Sequence, residues 1–233
     1  MSLSSQTVVD SFDSFSTSFN VTVPANCVGI DVIVAPSDAS ANVTGVTIGG
    51  VALSQISGSS LVGSAGELVD WKLSGWATTS SVPAAGTRTV VLAGGTEGEV
   101  ATAIRFLIGT GTETEVLDIG TAQSTSAANP SDTLALGGRA GAVFLVAFSG
   151  QNSTAGISPR SGWSSHLEDS LGTLSWGVYV YDTIDTADVV AGVQQTAEDI
   201  LMLAIARGEV EAGGGGGPTG PPAGSWMSMG VGV

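Results

Sequence analysis

One histidine and one cysteine stand beside 21 Asp and Glu in this sequence, and the spacing of these residues decides what chemistry they could support. His166 is the single histidine and follows Trp163-Ser164-Ser165. A Ser-His-Asp device needs its serine on a sharp turn and its base oriented by a carboxylate. The chain contains no Gly-x-Ser-x-Gly elbow, and serine is so abundant that one near His166 carries no information. Cys27 is the only cysteine and precedes the apolar run Val28–Val34. It reads as a small structural residue, and alone it can form no intrachain disulfide, so packing must hold the fold.

Carboxylates are the other reactive type. Glu113-x-Glu115-x-x-Asp118 superficially resembles the Glu-x-Asp-x-x-Glu strand motif of jelly-roll glycosidases, which set two carboxylates across a sugar cleft. Its acidic types are permuted, however, and no aromatic cluster accompanies them. Asp182, Asp185 and Asp188 recur every third residue, a pattern from which a loop could supply calcium ligands. They lack a calcium-loop signature and read as solvated turn residues. Phosphate-binding glycine loops lead into a helix N-terminus, which the glycine pairs here lack. No residue is therefore assigned to catalysis, to a cofactor or to a metal, and the chain is expected not to be an enzyme.

The elements that would position any site are strands. Residues 15–23 alternate apolar and polar, as a half-buried strand does, and Ile30, Val32 and Val34 share one face of Cys27–Ala35. Val43–Ile48, Gly49-Gly50 and Val51–Ile56 form the strongest hairpin signal, because two glycines accept the positive φ of a primed turn. Glu67–Ala77 reads as a long strand carrying Trp71 and Trp76. Glu99–Ile108 has no polar face, which predicts a central strand covered on both sides. A polar connection over 120–131 crosses mid-chain, and Ala197–Arg207, which a helix could also claim, is assigned as strand. About fifteen strands and no helix predict an all-β, jelly-roll-like antiparallel β-sandwich.

The chain also echoes itself. SWGVYVYD, ADVVAGVQQ and DILMLAIARG in the second half answer VDWKLSGWA, TRTVVLAGG and EVATAIRFLIG in the first, with Trp71 opposite Trp176. Aligned without a gap, Val90, Val91, Ile104 and Phe106 fall opposite Val189, Val190, Leu203 and Ile205. Comparable strands from each half are thus expected in one two-layer core. Residues 1–208 are taken as a single sandwich, 209–224 as a flexible Gly/Pro-rich linker, and 225–233 as an apolar tail. A free tail ending in Trp, Met and Val exposes apolar surface, so it reads as a peptide docking onto a neighbouring subunit. Its expected contact residues are Trp226 as anchor with Met227, Met229, Val231 and Val233.

Charge narrows the partners. Six Lys and Arg against 21 Asp and Glu give a net charge of −15, which repels phosphate backbones and anionic lipid heads. Neither nucleic acid nor membrane is expected. The six cations form no patch in the sequence. No basic and apolar leader is read at the N-terminus, and no apolar run approaches the roughly 18–20 residues of a membrane-spanning helix.

Residues 43–53 (VTGVTIGGVAL), Asp70-Trp71-Lys72-Leu73 and residues 83–91 (PAAGTRTVV), with Gly162-Trp163 and Ile200–Ala206 later on, resemble β-sandwich domains of bacteriophage virion proteins and some bacterial surface proteins. The resemblance covers roughly residues 17–208. It implies a structural or attachment role and supplies no catalytic residues. The first expectation is a capsid decoration protein of the virion, assembled in the host cytoplasm and bound to neighbouring capsid or tail subunits through its C-terminal tail. A homotrimer is the working symmetry. The alternative is a tail- or fibre-associated adhesin that binds a host glycan; a glycan-degrading enzyme ranks third.

Overall fold

The computed structural model describes residues 2–14, 17–36, 42–63, 68–69, 71–94, 100–110, 114–124, 129–149, 157–171, 174–195 and 199–210. The tail residues Trp226, Met227, Met229, Val231 and Val233 lie outside the described residues, as do Glu113 and all of the linker beyond Val210.

Seventeen antiparallel strands account for most of the described residues, and no α-helix occurs among them. The first half contributes β1 (Ser2–Ser14), β2 (Ser18–Val23), β3 (Cys27–Pro36), β4 (Val43–Ile48), β5 (Val51–Gln55), β6 (Leu61–Val62), β7 (Lys72–Ala77), β8 (Gly86–Gly94) and β9 (Val100–Thr110). The second contributes β10 (Thr114–Ser124), β11 (Ser131–Leu134), β12 (Gly141–Ser149), β13 (Ile157–Pro159), β14 (Trp163–Leu171), β15 (Leu174–Tyr181), β16 (Val189–Gln195) and β17 (Ile200–Glu209). The strand assignment of the closing segment holds. Trp71, by contrast, precedes β7 rather than lying in a strand, and β10 runs on to Ser124, into the expected mid-chain connection.

The two halves share one topology. Hydrogen bonding gives the order β1-β9-β3-β7-β5 in the first and β10-β17-β12-β15-β14 in the second, with β2-β8-β4 answered by β11-β16-β13. Each half is thus an eight-stranded jelly roll of two facing sheets. They differ at one edge: β5 pairs with both β4 and β7, joining the first half's sheets into one, and the short β6 adds to β7. The β4–β5 hairpin closes through Gly49 (φ 58°) and Gly50 (φ 82°), the left-handed pair that a primed turn requires.

Side-chain alternation divides most of the interior into three large cores, beside a small cluster of Leu3, Leu107 and Ala142. Ile30, Val32, Val34, Ile104 and Phe106 pack with Val46, Val90 and Leu92 inside the first half. Val143, Leu145, Tyr179, Met202 and Ala204 pack with Val189 and Val193 inside the second. The opposite faces of the same inner strands meet between the halves, where Ile33, Ala35, Trp71, Leu73 and Ala103 oppose Phe144, Val146, Phe148, Trp176, Leu203 and Ile205. Where one two-layer core was expected, there are two such cores and a third between them. This explains why β3, β9, β12 and β17 are apolar on both faces: each is covered on both sides.

The echo between the halves is real but its last strand is out of phase. Val90 and Val189 are both buried, and Val91 and Val190 are both exposed, at 41% and 45%. Ile104 and Phe106, however, face the first half's own core, whereas Leu203 and Ile205 face the core between the halves. An odd slip reverses the faces of a strand. Equivalent registers run Ile33↔Gly75 and Phe144↔Val180 on one side of the central strands. On the other they run Asp31↔Arg105 and Ala142↔Arg207. With Trp71 matched to Trp176, these registers place Arg105 opposite Arg207.

Candidate functional site

The conspicuous polar feature of the interior stands at those two arginines. Asp31 on β3, Arg105 on β9 and Arg207 on β17 project from apolar strands into the layer between the halves, and all three are buried. The Arg105 guanidinium donates to Asp31 Oδ2 from Nε at 2.9 Å and from Nη2 at 2.5 Å. Arg207 Nη1 donates to Asp31 Oδ1 at 2.6 Å. One carboxylate therefore holds two guanidinium groups, one from each half.

The remaining donors reach backbone and hydroxyl oxygens. Arg105 Nη1 donates to Ala142 O at 3.0 Å and Nη2 to Ile205 O at 3.3 Å, both across the junction. Arg207 reaches back, from Nη1 to Ile30 O at 3.0 Å and from Nε to Thr114 Oγ1 at 2.8 Å, with Nη2 bonded to Thr78 O. Phe144 offers its ring to Arg105, 5.3 Å from Cζ to centroid. Gln6 completes the set, accepting from Arg105 Nη1 at 3.3 Å and donating to Tyr181 O at 2.8 Å.

Burial alone would push the Asp31 carboxyl up. The charges of Arg207 and Arg105, with their hydrogen bonds, outweigh it and hold the group below its ordinary value. Burial likewise lowers Arg105, partly offset by Asp31. A carboxylate kept ionised, fully enclosed and accepting three hydrogen bonds from two guanidinium groups is not open to a substrate from which it could take a proton. The arrangement is a brace.

Among the described residues, none of the other reactive side chains forms a constellation. His166 is exposed on β14, while nearby Ser164 Oγ donates to Asp182 Oδ1 at 2.5 Å with no base between them. Asp185 Oδ1 accepts from the amides of Thr186 and Ala187 at 2.7 and 3.1 Å, and Asp188 Oδ1 accepts from Leu136 N at 3.1 Å. Those three aspartates thus serve separate turns. Glu115 pairs with Arg139 at the surface, and Asp118 Oδ2 accepts from Ala135 N at 2.8 Å. Burial, only partly opposed by a backbone hydrogen bond at Gly29, pushes the Cys27 thiol up to about 11, which leaves it protonated and unreactive near neutrality.

A cleft of about 220 Å³ opens beside the brace, with Gln55, Ile56, Ala77, Thr78, Thr114 and Val116 among its walls. Thr78 and Thr114 thus face the cleft and also hold Arg207. The four tryptophans among the described residues, Trp71, Trp76, Trp163 and Trp176, are all buried. The cation pairing was missed at the sequence level, where the six cations were read only as scattered. Its signal was a single charge inside each of three strands with no polar face, since a buried charge requires a partner.

No protein-family model, curated protein or solved structure matches this chain.

Proposed function

We propose that the chain is a non-enzymatic structural protein of a bacteriophage virion, a capsid decoration protein anchored by Ser225–Val233. The observation that carries this reading is that the interior charges are engaged in joining two jelly rolls, so what the fold produces is a stiff double body. The acidic surface, the sequence resemblance and the apolar residues after a Gly-rich linker support the virion setting. Partners would be neighbouring capsid or tail subunits, and a homotrimer is the symmetry to test first. Buried tryptophans weigh against a sugar-stacking platform on the double body itself, which ranks the glycan-binding adhesin second.

Attachment would follow from burying Trp226, Met227 and Met229 in a neighbour, each contributing about 1.5–3 kcal/mol if fully covered, with avidity from repetition over a symmetric particle. The test is co-sedimentation of the full chain, and of a chain ending at Gly217, with particles that lack this protein. Pelleting of the full chain alone is expected. Equal pelleting of the shortened chain would remove the anchor. If neither pellets, the decoration reading fails, and binding to a glycan array would put the adhesin in its place.

A further inference from the structure

The cleft beside the brace lies at the point where the described chain ends. Thr114, Glu115 and Val116 on β10 form part of its lining, and these three residues pair with Glu209, Gly208 and Arg207, the last residues of β17. Ile56, Ala77 and Val116 give it apolar walls, and at about 220 Å³ it lies below the roughly 300–1,000 Å³ of typical small-molecule sites. It suits one large apolar side chain.

The sequence carries such a side chain on a suitable tether. Residues 211–224 are mostly Gly and Pro, and Ser225-Trp226-Met227-Ser228-Met229 follows without a charge. A Gly-rich chain of that length has a random-coil root-mean-square span of about 20 Å, enough to return to a cleft at its own root. The effective concentration of such a tethered group is on the order of millimolar, so a chain's own tail outcompetes a dilute second copy.

We propose that this cleft is the resting seat of the chain's own C-terminal segment, with Trp226 inserted against Ile56, Ala77 and Val116 when the protein is free of its partner. The seat would cover the apolar side chains before attachment, and a partner would have to displace them. Because Thr78 and Thr114 touch both cleft and brace, the occupant lies against the joint between the halves. The inference rests on the reading of Ser225–Val233 as a docking segment, but each can fail alone: attachment is read on particles, whereas the seat is read on the free protein.

The experiment is disulfide trapping in the full chain carrying Cys27→Ala. Gln55→Cys on the rim of the cleft is combined with Ser228→Cys in the tail, and Val91→Cys on the distant outer sheet with Ser228→Cys serves as the reference pair. Under mild oxidation the rim pair is expected to close within one chain about tenfold faster than the reference pair, and Trp226→Ala should bring it down to the reference rate. Equal closure of the two pairs would overturn the seat. Disulfide-linked dimers as the main product would overturn it in favour of a second copy's tail, and an unchanged rate with Trp226→Ala would overturn the assignment of the inserted residue.

Discussion

Asp31 and Arg207 belong to different halves of the chain, yet Asp31 Oδ1 and Arg207 Nη1 are 2.6 Å apart with both side chains buried. Asp31 already has a partner in its own half, because Arg105 stands opposite it in the β3–β9 register. The second arginine therefore adds a link between halves, and the surplus positive charge is met by the carbonyls of Ile30, Ala142 and Ile205. Apolar sheet faces can slide over one another; this set of donors is satisfied in a single register.

Removing the carboxylate should therefore cost far more than removing a surface charge. Asp31→Asn leaves two buried guanidinium groups facing each other, and loss of one member of a buried ion pair typically costs about 3–5 kcal/mol. Urea unfolding of the variant against the parent measures this. A loss below about 1 kcal/mol would mean that the arginines are compensated without Asp31.

The same carboxylate fixes the sign of an acid effect. Its folded-state pKa is lowered, so the unfolded chain takes up the proton first as pH falls, near the ordinary aspartate value of about 4. The stability supplied by the ionised group is present above that value and is lost as pH drops through it towards the folded pKa. Unfolding midpoints measured between about pH 6 and pH 3 should fall, and fall less steeply in Asp31→Asn. Parallel pH profiles for the two proteins would show that Asp31 does not supply the acid sensitivity.

The strands were legible because their determinants are local. Alternation marked β2, two glycines marked the β4–β5 turn, and the lack of a polar face on residues 99–108 marked β9 as central. The brace was not legible, since Asp31 and Arg207 are 176 positions apart and neither carries a local mark of the other. The third core was hidden for a related reason: an apolar face reads the same whether its cover comes from its own half or from the other. The ungapped alignment carried Ile104 onto Leu203 because apolar residues fill both faces of β9 and β17, so sequence could not reveal a slip that reverses them. Trp226, Met227, Met229, Val231 and Val233, expected from the sequence to dock, lie outside the described residues, and their test is the particle assay.

Cys27 should behave as a masked thiol. With its pKa raised to about 11 by burial, little thiolate exists at pH 8, and alkylation by iodoacetamide should be at least tenfold slower in the folded protein than in urea. Rapid labelling of the folded protein at pH 8 would contradict the burial of this group and reopen it as a nucleophile.

Gly177 on β15 lies under a neighbouring ring. A methyl group added there would meet the Tyr179 hydroxyl oxygen at 2.3 Å and ring carbons at 2.6 Å. Tyr179 is buried among Val143, Leu145 and Met202 and has little room to retreat. Gly177→Ala should therefore destabilise by about 1–3 kcal/mol through overpacking, although alanine ordinarily suits a strand interior better than glycine. An unchanged or higher unfolding midpoint would show that the ring can move aside.

Phe148 tests whether the halves act as one unit. Its ring lies 4.7 Å from that of Trp71 in the first half and 4.2 Å from that of Trp176 in its own, so the two tryptophans matched by the echo flank one phenylalanine between the sheets. Together with the brace, this stack makes unfolding of one half expose the inner face of the other. Tryptophan fluorescence and far-ultraviolet circular dichroism should therefore report a single coincident transition in urea. Phe148→Ala should lower its midpoint through a loss of about 3–5 kcal/mol. Two separated transitions in the parent protein would mean that each jelly roll is stable alone, and the stiff double body on which the proposed role depends would be lost.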